Sequence, residues 1–355
     1  MSRFLSKRLS DLVPYVPGEQ PTDMAYIKLN TNESPYPPSP LVLERLGSAA
    51  LDKLNLYPDP TGKALRQKIA AKYGLEPENV FLSNGSDEAL AFAFMAFCDE
   101  KTPAAFADVT YGFYPVYCDL FGIPRAVIPL RSDFTLCADD YVGIGKTIII
   151  ANPNAPTGLA VSLDAIEKIL AANPDNVVIV DEAYVDFGGD TAVGLIQKYD
   201  NLLVVQTCSK SRSLAGARLG FAFGCKALID DIDAVRYSFN SYNVSRPALL
   251  AGEAAFDDAA YYDAMCHRVI ATREKTAEGL KALGFQMTAS VANFLFTRHP
   301  EASGGDLYRQ LKARGILVRH FDKNRISDYL RITIGTPEQM EELLSALAVI
   351  LRRET

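Results

Sequence analysis

Lys210 stands between two serines in the segment CSKSRS, directly after the apolar run 202–207 and with Arg212 and Arg218 close by. A lysine partly withdrawn from water and crowded by cations gives up its proton more easily, and the free amine is then a nucleophile toward a carbonyl. Taken alone, such a residue is also an ordinary solvated lysine. Asp181 closes the apolar run VVIV and opens DEAY. A carboxylate in that position needs a cation or solvent, because burying it bare is costly; a helix cap or a loop ion pair would satisfy it equally. Asn84-Gly85-Ser86-Asp87 separates another apolar run from the helical stretch 88–98. Its small residues can expose backbone N–H groups at a helix N-terminus, which suits a phosphate, although Ser and Asp also cap helices for local reasons.

An amine for an aldehyde, a carboxylate for a protonated ring nitrogen and a cradle for a phosphate are together the parts that pyridoxal 5′-phosphate (PLP) requires. The chemistry they would support is that of an amine bound through the cofactor's aldehyde. A freed Lys210 amine would carry the proton at the substrate's Cα, and Asp181 would keep the ring nitrogen charged.

Each cluster follows a short β-branched or apolar run, and ligands bind beyond the carboxyl ends of strands in open α/β sheets. The runs 80–83, 104–108, 126–129, 147–151, 177–180, 202–207 and 220–224 predict the seven strands of a mostly parallel sheet flanked by helices. After about residue 245 the texture changes to a long helical stretch, 247–283. Strands at 293–298, 316–319 and 329–334 follow, with a closing helix at 337–353. The expected organisation is an N-terminal arm over 1–40, a large α/β domain over 41–245 and a smaller α/β C-terminal domain over 246–355. Pro14, Pro17, Pro21, Pro35, Pro37, Pro38 and Pro40 keep the arm extended or turned, lying across another surface.

The composition excludes several classes. A formal net charge of −7 offers no basic face to a nucleic acid or an anionic membrane. The six cysteines are scattered without a CxxC pair, and the three histidines stand away from them, so neither a disulfide framework nor a metal site is expected. The charged start of the chain has no apolar signal core, and the longest apolar run, 89–98, is too short to span a bilayer. These features predict a cytoplasmic enzyme.

Nearly the whole chain, from LNTNESPYPPSP to LRITIG, resembles the fold-type I PLP-dependent aminotransferases and, within them, the histidinol-phosphate aminotransferases. The resemblance implies that Asp181 meets the pyridine nitrogen, Tyr184 the ring hydroxyl and Lys210 the aldehyde. It implies phosphate ligands from Gly85, Ser86, Asp87, Ser209 and Arg218, and a stacking ring from Tyr111 of the TYG motif. The family's NPNNPTG loop presents an asparagine just before Pro-Thr-Gly; here that position is Ala155, so either Asn154 is shifted into the role or Tyr184 alone holds the ring oxygen. Arg319 and Arg331 match the family's anion-binding pair, in keeping with the bidentate fit of guanidinium to carboxylate or phosphate. Tyr15, Asn32 and Tyr242 match substrate-pocket positions, and Tyr57 matches a tyrosine that reaches the neighbouring site in a homodimer. The implied reaction is L-histidinol phosphate plus 2-oxoglutarate giving imidazole acetol phosphate plus L-glutamate. An aromatic-amino-acid aminotransferase or a threonine-phosphate decarboxylase would share the cofactor residues, and a non-catalytic binding module is the reading from another class.

Overall fold

Strands buried on both faces account for the apolar runs of this sequence. The computed structural model describes residues 5–9, 11–47 and 52–352. Among these residues twelve strands follow in chain order: β1 (Ile27–Leu29), β2 (Val80–Ser83), β3 (Ala104–Ala107), β4 (Arg125–Ile128), β5 (Thr147–Ala151), β6 (Val178–Asp181), β7 (Leu202–Thr207), β8 (Gly220–Phe223), β9 (Gln286–Met287), β10 (Phe294–Arg298), β11 (Ile316–His320) and β12 (Leu330–Thr333). Seven of them form one sheet in the order β2-β8-β7-β6-β5-β3-β4. Only β8 runs against its neighbours; the remaining pairs are parallel.

Alternation along these strands divides the core in two. Ile148, Ile150, Val178, Val180, Leu202 and Val204 pack on one face, whereas Ile149, Ile179, Leu203 and Val205 pack on the other. Every residue of β5, β6 and β7 is buried, which is why the runs show no polar alternation. β3, β4, β6 and β8 differ from expectation by one residue, and two of these shifts have a visible cause or consequence. β4 begins at Arg125, which pairs with Ala104, and ends before Pro129, which has no N–H to give the ladder. β6 ends on Asp181, whose backbone pairs with Ala151 and Val205, so this carboxylate belongs to the sheet itself.

The helical stretch 247–283 is two helices, Arg246–Asp257 and Ala259–Ala282, interrupted at Asp258 with φ −110° and ψ 49°. The sequence FDDAA contains neither Gly nor Pro, so the break carried no signal. Ala248, Ala251 and Ala254 of the first helix pack in the core of the large sheet.

The second sheet has the order β1-β11-β12-β10-β9. Two of its strands were not expected: β9, of two residues, and β1, which comes from the proline-rich arm and pairs in parallel with β11 through Ile27↔Ile316. A three-residue strand flanked by turns is too short to show a period. The closing helix runs Pro337–Arg352, and its expected last residue, Arg353, lies outside the described residues. Among the described residues no helix is long and apolar enough to cross a membrane.

Candidate active site

Sheet direction brings four clusters together. β2, β5, β6 and β7 point the same way, so Ser83, Ala151, Asp181 and Thr207 end at one edge; reversed β8 begins there at Gly220, opposite both Ser83 and Thr207. A cavity of about 410 Å³ opens at this edge. Lys210, Asp181, Tyr184, Ser86, Asp87, Tyr111, Ser209, Arg218, Tyr15, Asn32, Arg319 and Arg331, all singled out in the sequence, line it.

The acidic pair of DEAY is separated by strand alternation. Asp181 Oδ2 accepts a 2.8 Å hydrogen bond from the Tyr114 hydroxyl, while Oδ1 is buried without a partner. Burial pushes this carboxyl up to about 6, against the pull of Tyr114. Glu182 points to the opposite face, where Thr191, the Ala192 N–H and Gln206 donate to it at 2.6, 2.6 and 2.8 Å. It braces the end of β6 and stays outside the cavity.

Lys210 donates to the Thr31 carbonyl at 3.2 Å and sits 5.9 Å from the centre of the Tyr184 ring. Burial lowers its pKa to about 8, with Arg331 and Arg218 adding repulsion and Glu33 and Asp87 opposing it. The residues after Lys210 anchor it: Ser211 and Arg212 both donate to Asp186, and the Arg212 guanidinium lies 4.3 Å from the centre of the Phe256 ring. Tyr184 is buried, its ring edge-on to Phe294 at 5.1 Å, and its hydroxyl accepts a 3.0 Å hydrogen bond from Asn32 Nδ2.

The helix Ser86–Phe97 starts without a side-chain cap, and its first residues line the cavity beside Ser209 and Arg218. Close packing shapes this corner. Gly85 has φ +79°, and a Cβ there would come within 2.4 Å of Arg218 Nη2; a Cβ on Gly220 would come within 2.4 Å of Gly85 C and Ser86 N. Asp87 holds the rim, accepting from the Tyr111 hydroxyl at 2.8 Å and lying 3.7 Å from Arg218 Nη2.

Arg319 and Arg331 are direct cross-strand partners on β11 and β12, a register that makes their side chains neighbours on one face of the sheet. Their hydrogen bonds go to the backbone carbonyls of Val16, Pro17 and Asn30. Arg331 is half-buried against Phe294 and Phe321, its Nε enclosed and unpartnered, and the partial burial lowers its pKa. Among the described residues neither arginine has an ion-pair partner within 4.0 Å, and two such guanidiniums on neighbouring strands suit a bidentate anion. Tyr15, stacked on Phe113 at 4.3 Å, closes the same end.

Three expected residues fall elsewhere. Asn154 does not line the cavity: its amide nitrogen donates to the Val109 carbonyl and Thr157 Oγ1, and its oxygen accepts from Thr110, so its hydrogen bonds are spent inside the loop. Ala155 occupies the cavity wall instead. Tyr57 and Tyr242 stack on each other at 4.3 Å, 77% and 43% exposed, away from this cavity. For Tyr242 this displaces the expected place in the chain's own pocket, because the segment 240–243 follows a helix that packs behind β2. Sequence reading missed Tyr114, Glu33 and Phe321. Tyr114 sits one helical turn after Tyr111 in an aromatic-rich segment where each ring reads as core.

The residues fit PLP. The buried, unpartnered Asp181 Oδ1 suits a cationic ring nitrogen, the lysine has lowered basicity, and the uncapped helix start beside Arg218 suits a phosphate. An amine of lowered basicity sharing a cavity with a half-satisfied carboxylate is equipment for moving amino groups. Residues 25–347 match the model of the class I and II aminotransferases; the chain belongs to that family and is an aminotransferase. More narrowly, it is 51% identical to the histidinol-phosphate aminotransferase of Pseudomonas putida strain W619 over 98% of this chain and 100% of that protein. It is 52% identical to histidinol-phosphate aminotransferase 1 of Bordetella parapertussis over 99% of each. The crystal structure of histidinol-phosphate aminotransferase from Sinorhizobium meliloti in complex with PLP shares the fold, with a TM-score of 0.86 at 21% identity, covering 93% of this chain and 92% of that one.

Proposed function

We propose that this chain transfers the amino group of L-histidinol phosphate to 2-oxoglutarate, giving imidazole acetol phosphate and L-glutamate in histidine biosynthesis, with PLP as its cofactor. The observation that carries the substrate is the cross-strand pair Arg319–Arg331 in the same cavity as Lys210. Two alternating substrates must use one anion site, and a phosphate and a carboxylate both match a pair of guanidiniums. Relatives about half identical to this chain, named for histidinol phosphate, support the same reading.

Lys210 would hold the cofactor's aldehyde, Asp181 its ring nitrogen, Tyr184 its ring oxygen and Tyr111 one face. The N–H groups of Ser86 and Asp87, Ser209 and Arg218 would hold its phosphate. When bound, PLP supplies an electron sink for the Cα carbanion. Lys210, neutral in a useful fraction near pH 8, takes and returns the Cα proton. Asp181, ionised once a cation meets it, keeps the ring nitrogen protonated. Arg331 and Arg319 orient the substrate by its anionic end, and Tyr15 and Phe321 exclude water there.

The working unit is a homodimer in which Tyr57, exposed beside Tyr242, reaches the neighbouring cavity. Six free cysteines suit the reducing cytoplasm. Single-turnover spectra with a panel of amines test the substrate: histidinol phosphate should react fastest and yield a keto product. Faster reaction of an aromatic amino acid, or release of carbon dioxide, would move the assignment to another enzyme of this fold.

A further inference from the structure

Asn32 is 1% exposed and has φ 56°, in the left-handed region that asparagine tolerates better than most residues. Its hydrogen bonds form a closed set. Its backbone N–H donates to Thr333 Oγ1 at 3.0 Å, Thr333 Oγ1 donates to Asn32 Oδ1 at 2.9 Å, and Asn293 Nδ2 donates to the Asn32 carbonyl at 3.1 Å. Asn32 Nδ2 donates to the Tyr184 hydroxyl at 3.0 Å.

This set fixes which way the amide faces. Thr333 Oγ1 accepts the Asn32 N–H, so its single proton is free for Oδ1. Oδ1 therefore stays on the threonine side and Nδ2 on the tyrosine side. A phenol has one proton, and an N–H arriving at its oxygen leaves that proton to be given elsewhere. With the amide reversed, the tyrosine would spend its proton on Oδ1. The neighbouring loop supplies no competing side chain, because Asn154 is engaged within the loop and Ala155 is apolar.

We propose that Asn32 is a positioning residue, not a substrate ligand: locked by Thr333 in a left-handed backbone, it turns the Tyr184 hydroxyl proton into the cavity as a donor for the cofactor's ring oxygen. This rests on the PLP reading above. It acts through Tyr184, so its effect should exist only while the Tyr184 oxygen exists.

The test is a double-mutant cycle on PLP affinity, followed by titrating PLP into cofactor-free protein and reading visible absorbance. Asn32→Gly keeps the left-handed backbone and removes the amide. It should weaken PLP by about 3- to 10-fold in the parent background, the size of one oriented hydrogen bond. In the Tyr184→Phe background the same change should cost no more than about 2-fold, the limit expected of uncoupled sites. The pH midpoint of the bound cofactor's visible band should move with Asn32→Gly in the parent and stay fixed in Tyr184→Phe. Thr333→Val keeps the Asn32 side chain but removes the hydroxyl that orients it and accepts its N–H; it should weaken PLP in the parent and by no more than about 2-fold in Tyr184→Phe, and this pair of backgrounds decides the matter if Asn32→Gly does not fold. Equal losses in both backgrounds, or no loss in the parent, would overturn the proposal. If the unsubstituted protein gives no visible band with PLP, the cofactor reading itself fails.

Discussion

Tyr114 donates a 2.8 Å hydrogen bond to one carboxylate oxygen of Asp181 and leaves the other oxygen buried and unpaired. The carboxylate is thus oriented from behind and incomplete in front. Asp181→Asn keeps the shape and removes the charge; kcat should fall by about 10²- to 10³-fold, as when a preorganised charge is lost from a reacting centre. Tyr114→Phe should be milder and pH-dependent. The bond holds the Asp181 pKa down, so its loss raises that pKa, and the acid limb of kcat/KM should shift to higher pH. An unmoved limb would mean that Asp181 does not titrate in that profile.

The lowered pKa of Lys210 predicts how the cofactor-free protein captures PLP. Only the neutral amine adds to an aldehyde, so the capture rate should rise with pH through a midpoint near 8, not near the ordinary lysine value of about 10.4. Stopped-flow absorbance between pH 6.5 and 9.5 measures this. Lys210→Ala should abolish both the band and turnover.

Arg331 is the more deeply held of the two arginines, and its replacement tests the shared anion site. Arg331→Gln should raise KM for the phosphorylated amine and for glutamate together, by at least about 10-fold each, because a charge-assisted contact is worth about 1.5–3 kcal/mol. Loss confined to one substrate would separate the two anion sites. Arg331→Lys should recover little, since a point charge does not reproduce the bidentate fork.

Much of this architecture was legible because the large sheet writes itself as apolar runs. TIII and VVIV needed both faces covered, and the polar residues after them marked the edge where ligands gather. Lys210 and Asp181 stood out at that edge, whereas the roles of Ser209 and Arg218 came from the family resemblance. Contacts between distant segments were not legible. Nothing about Tyr114 marks it as a partner of Asp181, and nothing in TNESP marks Asn32 as strained or as joined to Thr333, 301 residues away. The choice between Asn154 and Tyr184 alone stood open for the opposite reason: the loop motif is visible, but the direction of a side chain within a turn depends on the neighbours that satisfy it.

Gly220 tests how the phosphate corner is built. Its Cβ would collide with the backbone of Gly85 and Ser86, which a side-chain rotation cannot relieve. Gly220→Ala should cost about 1–3 kcal/mol of stability, as overpacking does, and should weaken PLP and inorganic phosphate binding together. Chemical denaturation and phosphate competition measure the two effects. Unchanged values for both would mean that the Ser86 end of the helix shifts freely.

The pairing of β1 with β11 sets a schedule for biosynthesis of the active molecule. Thr31, Asn32 and Glu33 enter the cavity directly after β1, yet β1 has no partner until Ile316–His320 has been made. Translation must therefore pass His320 before β1 can take its place. The nascent chain can fold the large sheet first, but it becomes competent only when β1 and β11 meet.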